Sequence, residues 1–468
     1  MGTKLLVRAY NVGCGDCIYV RIPNAADGHH ILIDCGRKGG TELLRTAIAH
    51  LEAHMLPDAG GGKKRLDLIV ATHRHEDHIK GFDPEWFRNI QVKNVWLGAG
   101  MNPEHPQARK VNALHAFAAG AVRRLVESGR ALGPQAELLA EVYGVSNQVA
   151  DEFLMQTIPQ RNGITPRFVH AGQSSRELGL ELSDAVIHVL APEEDIDHFY
   201  LGAEADASLN AMQGLAGSFQ ARSRAVAGEP GERPSNPTNI SASDFRVLQS
   251  RLLSNTLAFA EKDSSIQNNL CVALLLEWRR RRLLFVADCE WNGEFKEGKS
   301  NGSWNVMWEK QHAGHLKAPI DFLKIGHHGS VTATPLPDAV SARSARKNGE
   351  PSVNQILDTL LPRPAAGQKP TAQAIVSTER EAYDPIPEGK LLVELGTRVA
   401  SVRNYDKALA AKGIEPESLW QTTKAKRKQF YEKYEKEFLG EPQPWRTDLE
   451  EVLSGKGFVD VEIEARDG

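Results

Sequence analysis

No apolar run in the 468-residue chain approaches the roughly 18 residues that a membrane-spanning helix requires. Cysteine is scarce too: five in a chain of this length make no disulfide scaffold, and a reducing, cytoplasmic setting is the expectation. Charge of one sign is not in excess. The formal net charge of -4 carries no electrostatic signature of a nucleic-acid binder, although it is compatible with a local basic groove. The opening "MGTKLLVRAY" has one lysine, and Arg8 interrupts its apolar segment, so it reads as a strand and not as a signal peptide. No repeat recurs at a fixed period.

What is present is a chain able to bury a sizeable core, with 41% hydrophobic and 25% charged residues. Its length suits two or three domains, or one large domain with insertions. "KLLVRAY", "CIYVRIP" and "HHILIDCG" are short, β-branched and bounded by turn residues, which predicts an antiparallel meander. In "TELLRTAIAHLEAHM", Leu43, Leu44, Ile48, Leu51 and Met55 recur at helical spacing behind a potential cap at Thr41. "VKNVWLG", "ITPRFVHAG", "DAVIHVLAP" and "AQAIVSTE" read as strands, and "NNLCVALLLEWRRRRLLFVADCEW" as a β-hairpin with a charged tip. Helical stretches are expected over about 105–160 and 195–262; the second contains a Gly-, Pro- and Ser-rich segment with the composition of a loop or lid. The tail carries a charged helix, "TTKAKRKQFYEKYEKEF", and a last strand, "FVDVEIEA". Strands in two blocks with helices between and outside them predict an α+β fold of sheets covered by helices. The expected organisation is one domain over 1–400 with those two insertions, and an extension over 401–468.

The densest chemistry lies in "THRHEDH". His73, His75, Asp77 and His78 fall within six residues, directly after the buried strand Leu66 to Ala71. Two histidines two apart can turn toward one point, and Asp77 with His78 toward a second. Imidazole and carboxylate are the ligands that borderline divalent metals take. A two-metal site needs further ligands from distant chain. Asp288, at the end of "LLFVAD", is a natural bridging carboxylate, and "GHHGS" offers His327 and His328 at the end of another buried strand.

These stretches resemble a family. "THRHEDH" is similar to the metal motif of metallo-β-lactamase-fold hydrolases. The wider set, "NVGCGDCIYV…ILIDCG", "THRHEDHIKGF", "NNLCVALLLEWRRRRLLFVAD" and "LKIGHHGS", resembles the ComEC-like competence-protein hydrolase domain and its stand-alone relatives. The resemblance implies a four-layer αββα sandwich with two metals at the sheet edge, and hydrolysis of an ester, often a phosphodiester, by a metal-activated hydroxide. It implies His73 and His75 on the first metal, Asp77 and His78 on the second, Asp288 as the bridge, and His327 completing the second site. His328 is the alternative ligand or a substrate contact. Asp77 and His328 are then the catalytic candidates, Asp77 by orienting the hydroxide. Asp16, Lys324, Ser330, Tyr383 and Asp384 are the candidate substrate contacts. Zinc suits the ligand set, and manganese and iron are chemically able to replace it.

Two positions depart from the family pattern. Where many relatives place a middle histidine for the first metal, this chain has Pro192 and Glu193, leaving Glu193, Glu194, His170 or water to fill in. Where the family tends to have Tyr-x-His-Pro, the chain reads "AYDPIP". The leading expectation is a phosphodiesterase, plausibly a nuclease. A hydrolase of a small ester, lactone or phosphocholine-type substrate and a catalytically weak metal-binding module are the alternatives. The oligomeric state is left open.

Several other features have plainer readings. "RRRR" at 279–282 reads as a solvated hairpin tip, and the charged tail helix as a solvated face with i,i+4 pairs. Trp304 and Trp308, four apart, fit one core-facing stripe. Cys14 and Cys17 have CxxC spacing, but no second Cys or His pair accompanies them. In "NVGCGDC" they occupy variable positions around the turn-forming Gly13 and Gly15.

Overall fold

The computed structural model describes residues 4–127, 146–201, 241, 243, 260–291, 295–335, 353–380, 386–420 and 437–466. Tyr383 and Asp384, nearly all of the Gly/Pro-rich stretch read as a lid, and most of the charged tail helix lie outside the described residues.

Strands β1 (Lys4–Tyr10), β2 (Cys17–Ile22) and β3 (His29–Cys35) form the expected antiparallel meander. They are followed by β4 (Asp58–Gly60), β5 (Lys63–Leu66), β6 (Leu68–Ala71), β7 (Ile90–Val92), β8 (Val95–Gly98), β9 (Arg167–Val169) and β10 (Ala185–Ala191). The hairpin is β11 (Ala273–Trp278) and β12 (Arg281–Phe285), and β13 (Phe322–Ile325), β14 (Gln373–Val376), β15 (Val402–Arg403), β16 (Gln443–Arg446) and β17 (Phe458–Glu464) complete the set. Two seven-stranded sheets result, in the orders β17-β1-β2-β3-β6-β8-β9 and β10-β11-β12-β13-β14-β16-β15, beside a small sheet β4-β5-β7. Each large sheet begins antiparallel and turns parallel, at β3/β6 in the first and at β12/β13 in the second. The segment after residue 400 is woven into both: β17 pairs β1 along its length, and β16 pairs β14.

Strand alternation assigns each side chain to a layer. In β1, Leu5, Val7 and Ala9 enter the core between the sheets, while Leu6 and Tyr10 face outward. In β11, Leu274, Leu276 and Trp278 enter the same core, while Ala273 and Leu275 face the other way. The outer face of the first sheet is covered by helix Glu42–His50 through Leu44, Ala47 and Ile48, and by Phe82, Phe87 and Phe153. Helices Ser303–Lys310, Val353–Leu360 and Gly389–Gly396 cover the outer face of the second sheet with Trp304, Ile356, Leu357, Leu391 and Leu395. The result is a four-layer α/β/β/α sandwich. Each large apolar side chain buried in these three cores contributes about 1.5–3 kcal/mol.

At the β11–β12 turn Arg279 and Arg280 are exposed, and three of the four arginines are paired. Arg279 pairs with Asp184 at 2.8 Å, Arg281 with Asp321 at 2.8 Å, and Arg282 with Glu277 at 3.2 Å. Trp304 is fully buried and Trp308 partly so, both against one core.

Candidate metal centre

Ligands in twisted parallel sheets gather beyond the C-terminal ends of the strands, and the loops after β3, β6, β12 and β13 converge on one such edge. β6 is a run of four buried residues that ends at Ala71. Beyond it the chain stays extended to His75 (φ -68°, ψ 149°) and then makes a single helical turn, Glu76–Ile79. This change of backbone separates the motif into two pairs. His73 and His75 lie on the extended part with ring centroids 4.5 Å apart, and Asp77 and His78 lie on the turn.

Glycines let neighbouring loops approach that turn. A Cβ on Gly36 would lie 2.2 Å from the His78 backbone nitrogen, and one on Gly15 would lie 2.1 Å from the Gly36 carbonyl oxygen. The Asp16 N–H donates to the Asp77 carbonyl at 2.9 Å, and the Gly36 N–H donates to the Asp16 carbonyl at 2.9 Å. The "NVGCGDC" turn is thus a scaffold beneath Asp77. Its cysteines do not pair with each other. The Cys17 thiol faces Cys35 across β2 and β3 at 4.0 Å, and all five thiols are free and buried.

Two buried groups of donors share one residue. His73, His75 and Asp288 bring donor atoms within 4.8 Å of one another, and so do Asp77, His78, Asp288 and His328. Asp288 lies 3.1 Å from His78 Nε2 through Oδ1, and 3.8 Å from His73 Nε2 through Oδ2. His328 Nε2 is 3.1 Å from Asp77 Oδ2, and its Nδ1 donates to the Ser377 carbonyl at 3.2 Å. His327 stands outside both groups. Its Nε2 is 3.7 Å from Asp288 Oδ2, and its side chain is 20% exposed. Both histidines have positive φ, 42° and 53°, so the turn after β13 aims them in different directions.

The carboxylate Asp34, at the end of β3, belongs to this assembly, a role that no local sequence pattern assigns to it. Parallel pairing of β3 with β6 sets it beside Thr72. Its Oδ1 accepts from the Thr72 N–H at 2.8 Å. Its Oδ2 accepts from the Thr72 hydroxyl at 2.7 Å and from His78 Nδ1 at 2.7 Å. With Nδ1 donating there, His78 directs Nε2 at Asp288. The signal was present in "ILIDCG", but only the strand pairing turns that aspartate into a partner of His78.

The remaining predicted residues are placed as follows. Asp16 and Lys324 are both buried and locked together, with Lys324 Nζ 2.8 Å from Asp16 Oδ1 and donating also to the Ile325 carbonyl at 2.9 Å. Sequence reading expected substrate contacts of them; their geometry ties the "NVGCGDC" turn to β13. Ser330 is partly exposed and its hydroxyl meets that of Thr332 at 3.0 Å. At the missing middle-histidine position, Glu193 turns to His312 Nε2 at 2.6 Å, His170 bonds to Gln173 at 2.9 Å, and Glu194 is exposed. Among the described residues the first group therefore holds two histidines and the shared aspartate.

The buried carboxylates are surrounded by cationic and imidazole groups. Buried carboxylates are costly unless compensated. Burial would raise the Asp77 carboxyl, but the Lys38 ammonium at 3.1 Å, with His328 and His78, holds it well below the usual carboxylate range. Asp288 is likewise held well below that range, against its burial, by His78, His327 and His73. His78 is the reverse: burial would lower it, yet Asp288 and Asp34 hold it well above its ordinary value. Burial pushes His73 well down and His75 down to about 4, which keeps both rings neutral, each with one bare nitrogen. Two donor atoms of the two groups, His75 Nε2 and Asp77 Oδ1, are buried with no hydrogen-bond partner, while His78 Nε2 and Asp288 Oδ1 face each other at 3.1 Å. Unpaired buried polar atoms of this kind are rare unless something else binds them. Imidazole and carboxylate donors converging with lone pairs unspent fit divalent metal ions.

Residues 11–96 of the chain match the Metallo-beta-lactamase superfamily. That segment carries Asp34 and the "THRHEDH" motif, while Asp288 and His328 lie beyond it. Among solved structures, one match is the crystal structure of a protein of unknown function from Enterococcus faecalis V583. Sequence identity to it is 10% and the TM-score is 0.29, over 72% of this chain and 52% of that one, so this chain spans about half its length. No curated protein matches. Among the described residues, no helix is long and apolar enough to cross a membrane.

Proposed function

We propose that the chain is a metal-dependent hydrolase of phosphodiester bonds, of the ComEC-like kind, with two divalent ions, zinc in the first instance. His73, His75 and Asp288 would hold one ion, and Asp77, His78, Asp288 and His328 the other. The observation that carries this reading is the pair of buried donor groups sharing Asp288, in which His75 Nε2 and Asp77 Oδ1 have no hydrogen-bond partner. Ions bound there supply Lewis acidity and acidify a water molecule.

The protein's own residues do the rest. Asp34 accepts from His78 Nδ1, which leaves Nε2, facing Asp288, as the nitrogen that an ion would take in place of a proton. Asp77, with Oδ1 unspent, orients the attacking water. His328 is steadied from behind by the Ser377 carbonyl. His327, at the exposed rim, would meet the leaving oxygen. Lys38 and Arg37 stand by the same edge with side chains only 11% and 13% exposed, Lys38 beside Asp77 and Arg37 3.6 Å from Glu379.

The test is one assay set. Bound metals are counted, and wild type and Asp77→Ala are then compared on a bis-aryl phosphodiester, single- and double-stranded DNA, RNA and a lactone. The expected result is phosphodiester turnover by wild type and none by a folded Asp77→Ala. Turnover of the lactone alone would overturn the substrate class. Two bound metals without turnover of any ester would favour a binding module.

A further inference from the structure

Away from these two donor groups, three side chains of the second sheet's outer face converge. In β10, Ile187 and Val189 enter the inter-sheet core, so His188 between them points to the opposite side. In β11, Leu276 and Trp278 enter the same core, so Glu277 points with His188. The register places Glu277 opposite Val186 and Leu275 opposite His188, which makes His188 and Glu277 diagonal neighbours on one face. His315 reaches them from the turn that follows helix Ser303–Lys310.

We propose that His188, Glu277 and His315 form a further binding site for a borderline divalent cation such as zinc. One donor atom from each lies within 4.8 Å of the others. His188 Nε2 stands 3.4 Å from Glu277 Oε2, too long for a strong charged hydrogen bond. It matches the edge of a tetrahedron whose centre makes bonds of about 2.1 Å, roughly 3.4 Å. The two imidazoles lie with centroids 4.0 Å apart, tilted by 34°.

The surroundings are built to hold this geometry. The turn delivering His315 has two non-glycine residues in the left-handed region, Gln311 (φ 46°) and Ala313 (φ 48°), beside Gly314 (φ 72°). Arg282 anchors both ends of the site. Its Nε donates to Glu277 Oε1 at 3.2 Å, leaving Oε2 turned to His188, and its other nitrogens donate to the carbonyls of His315, Ala318 and Pro319. An outer group that fixes the ligand carboxylate and the ligand loop together is what a metal site requires of its support. All three side chains are partly exposed, so an ion has access and solvent supplies the fourth ligand. The bound ion would staple the 311–316 turn over β10, the edge strand of its sheet.

The test compares the zinc-loaded wild-type protein with His188→Ala/His315→Ala and with Glu277→Gln, after equilibrium dialysis against zinc and metal analysis by mass spectrometry. The double variant is expected to hold one zinc fewer per chain, and Glu277→Gln to bind that zinc at least tenfold more weakly. Added zinc should raise the melting temperature of wild type further than that of either variant. Equal stoichiometry in wild type and variants, or equal thermal shifts, would overturn the site. Glu277→Gln, which removes a charge and keeps the shape, decides the matter if the double variant fails to fold. The hydrolase reading is independent: loss of phosphodiester turnover with this zinc retained would leave the present site standing.

Discussion

Asp34→Asn removes one charge from behind the metal centre and tests how the centre is organised. Asn is among the residues that best tolerate the left-handed backbone that position 34 adopts, φ 57°. Three donors converge on the Asp34 carboxylate: the Thr72 N–H on Oδ1, and the Thr72 hydroxyl and His78 Nδ1 on Oδ2. An amide has one acceptor oxygen and an NH2 group. If its oxygen meets the Thr72 N–H, the NH2 faces the hydroxyl and His78. The hydroxyl can rotate and accept, but His78 can accept at Nδ1 only by moving its proton to Nε2, the nitrogen now aimed at Asp288. If the amide is flipped, the Thr72 N–H is left facing a donor, at a cost of about 1–3 kcal/mol. Loss of an outer-shell partner of this kind typically costs 10- to 100-fold in metal affinity, about 1.4–2.7 kcal/mol. The assay is chelator competition with a zinc-responsive dye, beside turnover and thermal melting. We expect one zinc to weaken by that factor, with a melting temperature close to that of wild type once both proteins are stripped of metal. Asp34→Ala would confuse the answer, because alanine at φ 57° adds about 1–2 kcal/mol of backbone strain. Wild-type zinc affinity and turnover in Asp34→Asn would refute the tautomer argument.

Gly36→Ala should destabilise the protein by about 1–3 kcal/mol and deplete its metal, because its Cβ would meet backbone atoms of Asp77 and His78 that cannot swing away. A wild-type melting curve with full metal content would count against the close loop packing. The five buried thiols should be silent to Ellman's reagent in the native protein and all react in denaturant, and turnover should survive the native treatment. Rapid reaction of Cys14, whose thiol burial pushes well above its ordinary range, would show that the turn opens. Stripping metal with a chelator should abolish turnover and lower the melting temperature, since a ligand present at 100 times its Kd stabilises the fold by about 2.7 kcal/mol. Zinc should restore both, and an unchanged melting curve on chelation would mean that the donor groups hold no ion.

Much of this was legible from sequence because strand periodicity and ligand spacing are local properties. The β1–β3 meander, the β11–β12 hairpin and the two pairings within "THRHEDH" each lie in one continuous stretch of chain, and backbone geometry fixes them. What depends on pairing between distant segments was not. Asp34 acquires its role from the parallel β3/β6 register, and Lys38 from the approach of its loop to Asp77. Whether His327 or His328 faces the second donor group depends on two successive positive φ angles, which composition does not announce in non-glycine residues. The partners that commit Lys324 and Arg282 to structure, Asp16 and the loop carbonyls after His315, are likewise reached only in the folded chain.

His78 is hydrogen-bonded to Asp34 through one ring nitrogen and faces Asp288 through the other, and those aspartates come from equivalent places in the two sheets. Each ends a hairpin that begins with a cysteine and closes on another 18 residues later, Cys17 to Cys35 and Cys271 to Cys289, with the aspartate just before the second. One imidazole therefore works as a dowel between two matching halves of the sandwich. A slip of the halves by even one ångström would pull one of those contacts beyond hydrogen-bond length, so the centre is intact only while the sheets are in register. Metal occupancy then reports the alignment of the whole sandwich, and substitutions deep in the inter-sheet core, far from any ligand, should register as changes in metal affinity before they register as unfolding.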